Sequence, residues 1–295
     1  MPQRYKRKTI NTINNLNHQK TNNYLIMEAQ KPNKPAKATA KKKGGINAFL
    51  VIILCFIASV CMYVFVLGAD SNFENGHPVN LLGTVHEGGF VVPIIWGLLF
   101  LVVVLSVERF IALSKATGAK STDKFVAELK KALETGKVED AKNVCAKQGG
   151  AIGNAVLCAV NKYEEMLTET ALKKEDRALA IRNALDEGIN FEMPTLQQNM
   201  PIIFTNTTLG TLMGLFGTVL GMIKSFSALG NSGAPDSSAL SQGISEALVN
   251  TASGIACGAL AVISYNYYDT KINDITYKIN EAGAAIISVF EAKAE

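Results

Sequence analysis

The chain has little of what metal, redox or hydrolytic chemistry requires. Its 295 residues include three histidines, and none falls between residues 114 and 199. No HExxH is present, which excludes the helical zinc-protease arrangement, and no Ser/His pattern suggests a nucleophile and its base. The five cysteines, Cys55, Cys61, Cys145, Cys158 and Cys257, are odd in number and form no CxxC. They read as small apolar fillers, not as a disulfide framework or a metal site. Residues 114–199 show neither a basic patch nor a phosphate-cradling glycine loop, and they hold thirteen acidic and thirteen basic residues. The net charge of +4 rests partly on one lysine run. These absences leave no expected enzyme activity, cofactor, metal or nucleic-acid partner.

Charge is missing altogether from three long stretches and nearly so from a fourth. Ile46–Gly68, Phe90–Val107 and Pro201–Ile223 carry none, and Ile244–Tyr268 carries only Glu246. About 20 helical residues cross a bilayer core, so the chain reads as an all-α polytopic membrane protein with four spans and long cytoplasmic helical extensions. The first stretch, at 23 uncharged residues with no small-residue cleavage pattern after it, is too long for a secretory signal.

Lysines set the orientation. Lys31, Lys34, Lys37 and Lys41–Lys43 precede the first span, and Arg109, Lys115, Lys120 and Lys124 follow the second. The intervening 69–89 segment has Asp70, Glu74 and Glu87 but no Lys or Arg. Both termini are therefore expected in the cytoplasm of a bacterial inner-membrane protein. The expected divisions are a disordered basic tail over 1–45, a first span over 46–68 and a periplasmic loop over 69–89. A second span over 90–113 and a cytoplasmic helical domain over 114–200 follow. The remainder is a third span over 201–229, a short periplasmic loop over 230–242, a fourth span over 243–268 and a C-terminal helix over 269–295. Lys224, near the outer end of the third span, breaks the pattern and is expected to snorkel.

Within 114–200 the apolar spacing of Phe125, Val126, Leu129 and Leu133 predicts a helix capped by Asp123 and stopped at Gly136. Further helices are expected over Val138–Cys145 and Ile152–Leu167, separated by the QGG turn at 148–150. Another begins near Thr170 and is expected to run on through Met200 into the third span.

The last two spans are not ordinary lipid-facing helices. At about 100° per residue Thr207, Thr211, Thr218 and Ser225 share one stripe, and Gly210, Gly214, Gly217 and Gly221 form a ridge beside it. In the fourth span Glu246, Asn250, Ser253, Cys257 and Ser264 share a stripe beside the small residues Gly243, Ala247, Gly254, Gly258 and Ala261. Glycine ridges let neighbouring backbones approach closely. The economical arrangement packs ridge on ridge and turns both polar stripes toward an enclosed interior. Single hydroxyls in membrane helices more often bond their own backbone. An intramembrane carboxylate such as Glu246 is a functional candidate, against the plainer reading that it pairs with Lys224 near the outer boundary.

Two blocks carry a resemblance. GLFGTVLGM (Gly214–Met222) is similar to the GLLGTVxGI of the MotA/TolQ/ExbB proton channel family, and GISEALVNTASGIACGALAVISYN (Gly243–Asn266) to its GIxEALxxTxxGLxxAIPAxxxYN. The resemblance extends over about residues 90–290, including SVERF at the end of the second span. The outer loop and the wording of the blocks resemble ExbB and TolQ more than MotA. It implies a ring-forming homo-oligomer, usually a pentamer, around the transmembrane helices of an ExbD/TolR-type single-span partner that supplies an intramembrane Asp. It further implies coupling of proton flow to a TonB-type protein. Family pore positions carry over to Thr218, Thr251 and Glu246, and Thr211 joins them on the stripe. The wheel favours Thr251 less, since it lies about 140° from Glu246. Hydroxyls suit a proton path because each both donates and accepts.

Three departures accompany the resemblance. The family's proline before the first block is Thr211 here and its AIPA proline is Leu260, so both helices are expected to run straighter. The first span is additional to the family's usual three and is expected on the outer surface of the ring. The alternatives are a TolQ-like envelope-maintenance subunit, a motility stator and a non-conducting scaffold. A transporter with inverted repeats of broken helices does not fit.

Residues 1–26 are rich in Asn and unpatterned, and MEAQKPNKPAKATAKKKGG opens at Met27. Met27 is therefore expected to be the true start. Intact-mass measurement of the native protein should give a mass beginning there, and a mass that includes residues 1–26 refutes it.

Overall fold

The computed structural model describes residues 48–74, 77–119, 121–231 and 237–293. The basic tail, Met27, the first two residues of the first hydrophobic stretch and the centre of the 230–242 loop lie outside them. Four of its helices are long and apolar enough to cross a membrane. The described elements divide into two compact units.

Residues 48–113 and 197–271 form the membrane unit. Helix α1 (Ala48–Met62) ends in a π-helical turn, Tyr63–Leu67. Val51, Cys55 and Ser59 recur every four residues and are buried, whereas Phe49, Ile53, Ile57 and Val60 are exposed. One stripe of small residues thus packs inward and the wide remainder is left for lipid. A 3-10 turn (Asp70–Asn72), a minimal hairpin of β1 (Phe73–Glu74) and β2 (His77–Pro78), and helix α2 (Leu81–His86) follow. Asn72 holds this segment together. Its amide donates to the Val66 and Leu67 carbonyls at 2.7 and 3.0 Å, satisfying the end of the first span. Asn80 donates to Asn72 Oδ1 at 2.9 Å and caps α2 by accepting from the Gly83 N–H at 2.9 Å.

Helix α3 (Val91–Ala116) tolerates Pro93 because it lies in the first turn. Its buried positions, Val91, Ile95, Leu98, Val102, Leu105, Arg109 and Leu113, keep three- and four-residue spacing. Helix α8 (Met200–Asn231) and helix α9 (Ser237–Lys293) supply the third and fourth spans. The fourth begins six residues before position 243, and α9 runs unbroken for 57 residues through position 268. The tract from Ser237 to Lys293 contains no proline, which allows that continuity.

Residues 114–196 and 272–293 form the charged helical unit. It contains α4 (Thr122–Glu134), α5 (Val138–Gln148), α6 (Gly150–Thr168), α7 (Lys174–Leu196) and the last turns of α9. Two sequence expectations need correction. Asp123 is not the cap of α4, since Ser121 has the extended cap conformation and Asp123 lies in the first turn, where its charge complements the positive end of the helix dipole. The chain also does not continue helically from α7 into the third span: a turn at 197–199 intervenes, with Asn199 at φ +63°. Asparagine accepts that conformation more readily than most residues.

The core of this unit is built from Phe125, Leu129, Leu133, Ile152, Val156, Tyr163, Ile181, Ile279, Ile286 and Phe290. The Tyr163 and Phe290 rings meet edge to face at 5.7 Å, and the Arg177 guanidinium lies 5.5 Å over Phe290. Cys145 is buried here, and loss of hydration pushes its thiol up to about 12. An uncharged thiol of this kind is packing material rather than a nucleophile.

Candidate functional site

The small residues on α8 and α9 bring the two helices into backbone contact. A methyl group on Gly254 would lie 2.6 Å from Gly214 Cα and 2.7 Å from the Gly210 carbonyl oxygen. Higher up, Gly217 faces Asn250, and Gly221 faces Gly243 and Ala247; lower down, Gly210 faces Cys257 and Gly258 faces Thr211. Side chains larger than these would force the helices apart.

The glycine contact has two flanks with different environments. On one, the Thr218 and Thr251 hydroxyls are hydrogen-bonded to each other. Thr218 Oγ1 also reaches the Gly214 carbonyl at 3.2 Å, and Thr251 Oγ1 the Ala247 carbonyl at 3.1 Å. Both threonines are half-buried and sit at the lip of a face where Leu215, Leu248 and Ile255 are 56 to 65% exposed. Each hydroxyl has one proton, so one donates to its backbone carbonyl and the other to its neighbour, and the order can reverse.

On the other flank lie Glu246, Asn250 and Cys257, all buried. Glu246 accepts a 2.8 Å ion pair from Lys224; its side chain is 9% exposed and that of Lys224 58%. Asn250 donates to the Gly88 carbonyl at 2.9 Å, and its own carbonyl oxygen is without a partner. Cys257 closes the flank in an apolar cluster with Val91, Ile95, Leu98, Met213 and Leu220.

The expectation that both polar stripes face one interior is therefore replaced. The Thr218 part of the α8 stripe meets Thr251, the residue the wheel disfavoured. Most of the α9 stripe turns instead toward the start of α3. Glu246 is brought to Lys224, not to the threonines. Thr207 and Thr211 bond backbone carbonyls of their own helix, at Phe204 and Thr207, and Ser225 donates to the Leu240 carbonyl.

Sequence reasoning passed over a second polar cluster, at the far end of the unit. Arg109 is buried and pairs with Glu108, which accepts from the Asn199 amide at 3.2 Å. The signal was present, since Arg109 falls between Leu105 and Leu113 at four-residue spacing on the buried stripe. The Tyr268 hydroxyl donates to the Ser106 carbonyl at 2.7 Å, while Ser106 Oγ and Asn206 Nδ2 are buried without partners. No group of side chains suited to a metal ion is found among the described residues.

Residues 159–281 match the MotA/TolQ/ExbB proton channel family. The glycine contact, Thr218, Thr251 and Glu246 all lie inside that segment. An ExbB-like biopolymer transport protein of Synechocystis is 36% identical over 89 residues, 30% of this chain and 42% of that protein. The Tol-Pal system protein TolQ of Haemophilus influenzae is 33% identical over 92 residues, 31% of this chain and 40% of its own. Biopolymer transport protein ExbB of Pseudomonas putida is 26% identical over 163 residues, 55% of this chain and 48% of its own. The chain thus spans less than half the length of each of these relatives.

Replacing Gly254 with Val should cost about 2 kcal/mol through overpacking against the Gly214 backbone. Thermal unfolding in detergent should show the loss, and the exposed Ala252→Val should not. Equal behaviour of the two variants would remove the ridge contact from the account.

Proposed function

We propose that this chain is a proton-channel ring subunit of an inner-membrane energy-transducing motor of ExbB type. The observation that carries the reading is the Thr218–Thr251 hydroxyl pair at the exposed lip of the α8–α9 contact. A proton path needs a continuous chain of groups that donate and accept. The interior of the unit does not provide one, because the Val91, Ile95, Leu98, Cys257, Met213 and Leu220 cluster separates its two polar ends. The threonine lip does offer such groups, on a face left uncovered within the protomer.

An alcohol does not titrate near neutral pH, so the hydroxyls can relay a proton but cannot be the charge that is switched. A carboxylate on a partner helix meets that need. This favours a closed ring, with a pentamer the expected size, in which the exposed face surrounds an ExbD/TolR-type helix that brings an Asp. The 69–89 segment then faces the periplasm and the charged helical unit the cytoplasm, as the distribution of lysines indicates. A TonB-type protein would receive the resulting motion. The acidic outer loop favours ExbB-type work in outer-membrane transport over TolQ-type envelope maintenance or a motility stator, and the relatives include both ExbB and TolQ.

Proton uptake into liposomes holding the chain and a candidate partner should exceed that of the chain alone. Thr218→Val should cut the partner-dependent flux tenfold or more in an intact complex, and Thr218→Ser should keep most of it. Partner-dependent flux unchanged by Thr218→Val would take this threonine off the path. No flux from a stable complex would favour the scaffold.

A further inference from the structure

The first span has no place in the relay, yet its polar contacts converge on the segment that seats Glu246. Ser59 Oγ donates to the Pro93 carbonyl at 2.6 Å, and the Phe56 ring fills the space beside Gly97. The Tyr63 hydroxyl donates to the His86 carbonyl at 3.1 Å, while the two rings stack at 4.5 Å. Two residues later Gly88 offers its carbonyl to Asn250. Gly89, at φ +73°, lies so close to Glu246 that a methyl group there would fall 2.6 Å from Oε1. Contact thus runs from α1 to the His86–Gly89 turn, then to Asn250 and Glu246, and ends at Lys224.

We propose that the first span is a positioning element for the Glu246 carboxylate. By holding the His86–Gly89 turn with Tyr63 and the start of α3 with Ser59, it keeps Glu246 on the buried flank. There the carboxylate stays paired with Lys224 and apart from the Thr218–Thr251 lip. A free carboxylate one turn from Asn250 could swing toward water or toward a neighbouring helix, and the wall formed by Gly88 and Gly89 denies it that space. Ser59 and Tyr63 direct their hydrogen bonds to this wall, at the Pro93 and His86 carbonyls. The inference deepens the channel reading by assigning the additional span a task there.

The test is carbodiimide labelling of Glu246 in the full chain in bilayers, followed by peptide mass spectrometry. It requires no proton flux, so it stands or falls separately from the channel reading. Lys224→Met should raise the labelling rate severalfold by removing the counter-charge. Ser59→Ala combined with Tyr63→Phe should raise it at least threefold, and Ser59→Thr, which keeps a donor, should stay at the wild-type rate. Gly89→Ala should also raise it, by driving the carboxylate off its seat. A double variant that lowers thermal stability while Glu246 labels at the wild-type rate overturns the proposal, as does an unchanged rate in Lys224→Met.

Discussion

The closeness of two backbones governs the membrane unit. Where Gly214 and Gly254 meet, no side chain separates α8 from α9, and every neighbouring contact follows from that distance. Thr218 can reach Thr251 because the helices are this near, and Lys224 can reach Glu246 on the opposite flank for the same reason. Lipid gives no hydrophobic drive toward helix association, so close van der Waals packing and the polar contacts beside it must hold the pair together. A channel reading depends on this geometry, since a relay between hydroxyls fails once they separate by more than a hydrogen bond.

The two flanks divide the labour. One presents hydroxyls at an open lip, while the other buries a carboxylate, an amide and a thiol against the start of α3. The unpartnered polar atoms of the buried flank lie toward its ends. Asn250 near one end, and Ser106 and Asn206 nearer the other, each retain an unpartnered polar atom, with aliphatic side chains and Cys257 between them. Ordered water can satisfy such atoms locally. It cannot readily thread the apolar stretch between them.

Much of the fold was legible in the sequence because charge and hydrocarbon exclude each other so strongly. Four nearly uncharged stretches announce four apolar helices, and glycine at four-residue spacing announces a close contact. The flanks were less legible. A helical wheel reports angles about one axis, and it cannot say which side of a ridge the rest of the protein covers. Thr251 seemed misplaced because it lies across the ridge from Glu246, yet that is the side on which the Thr218 hydroxyl arrives. Arg109 was read only as a marker of orientation because an arginine after an apolar run looks like an interfacial anchor until the burial of Leu105 and Leu113 is known. The break at Asn199 was hidden because residues 197–199 include neither glycine nor proline.

The central claim is that Thr218 and Thr251 face each other across the lip within one chain. Replacing both with cysteine and oxidising mildly in membranes tests it directly, with Thr208→Cys plus Thr251→Cys as the separated control. The account predicts rapid disulfide formation within single chains for the first pair and little for the second, as read by peptide mass spectrometry. Failure of the first pair to link, or links only between chains, would contradict it.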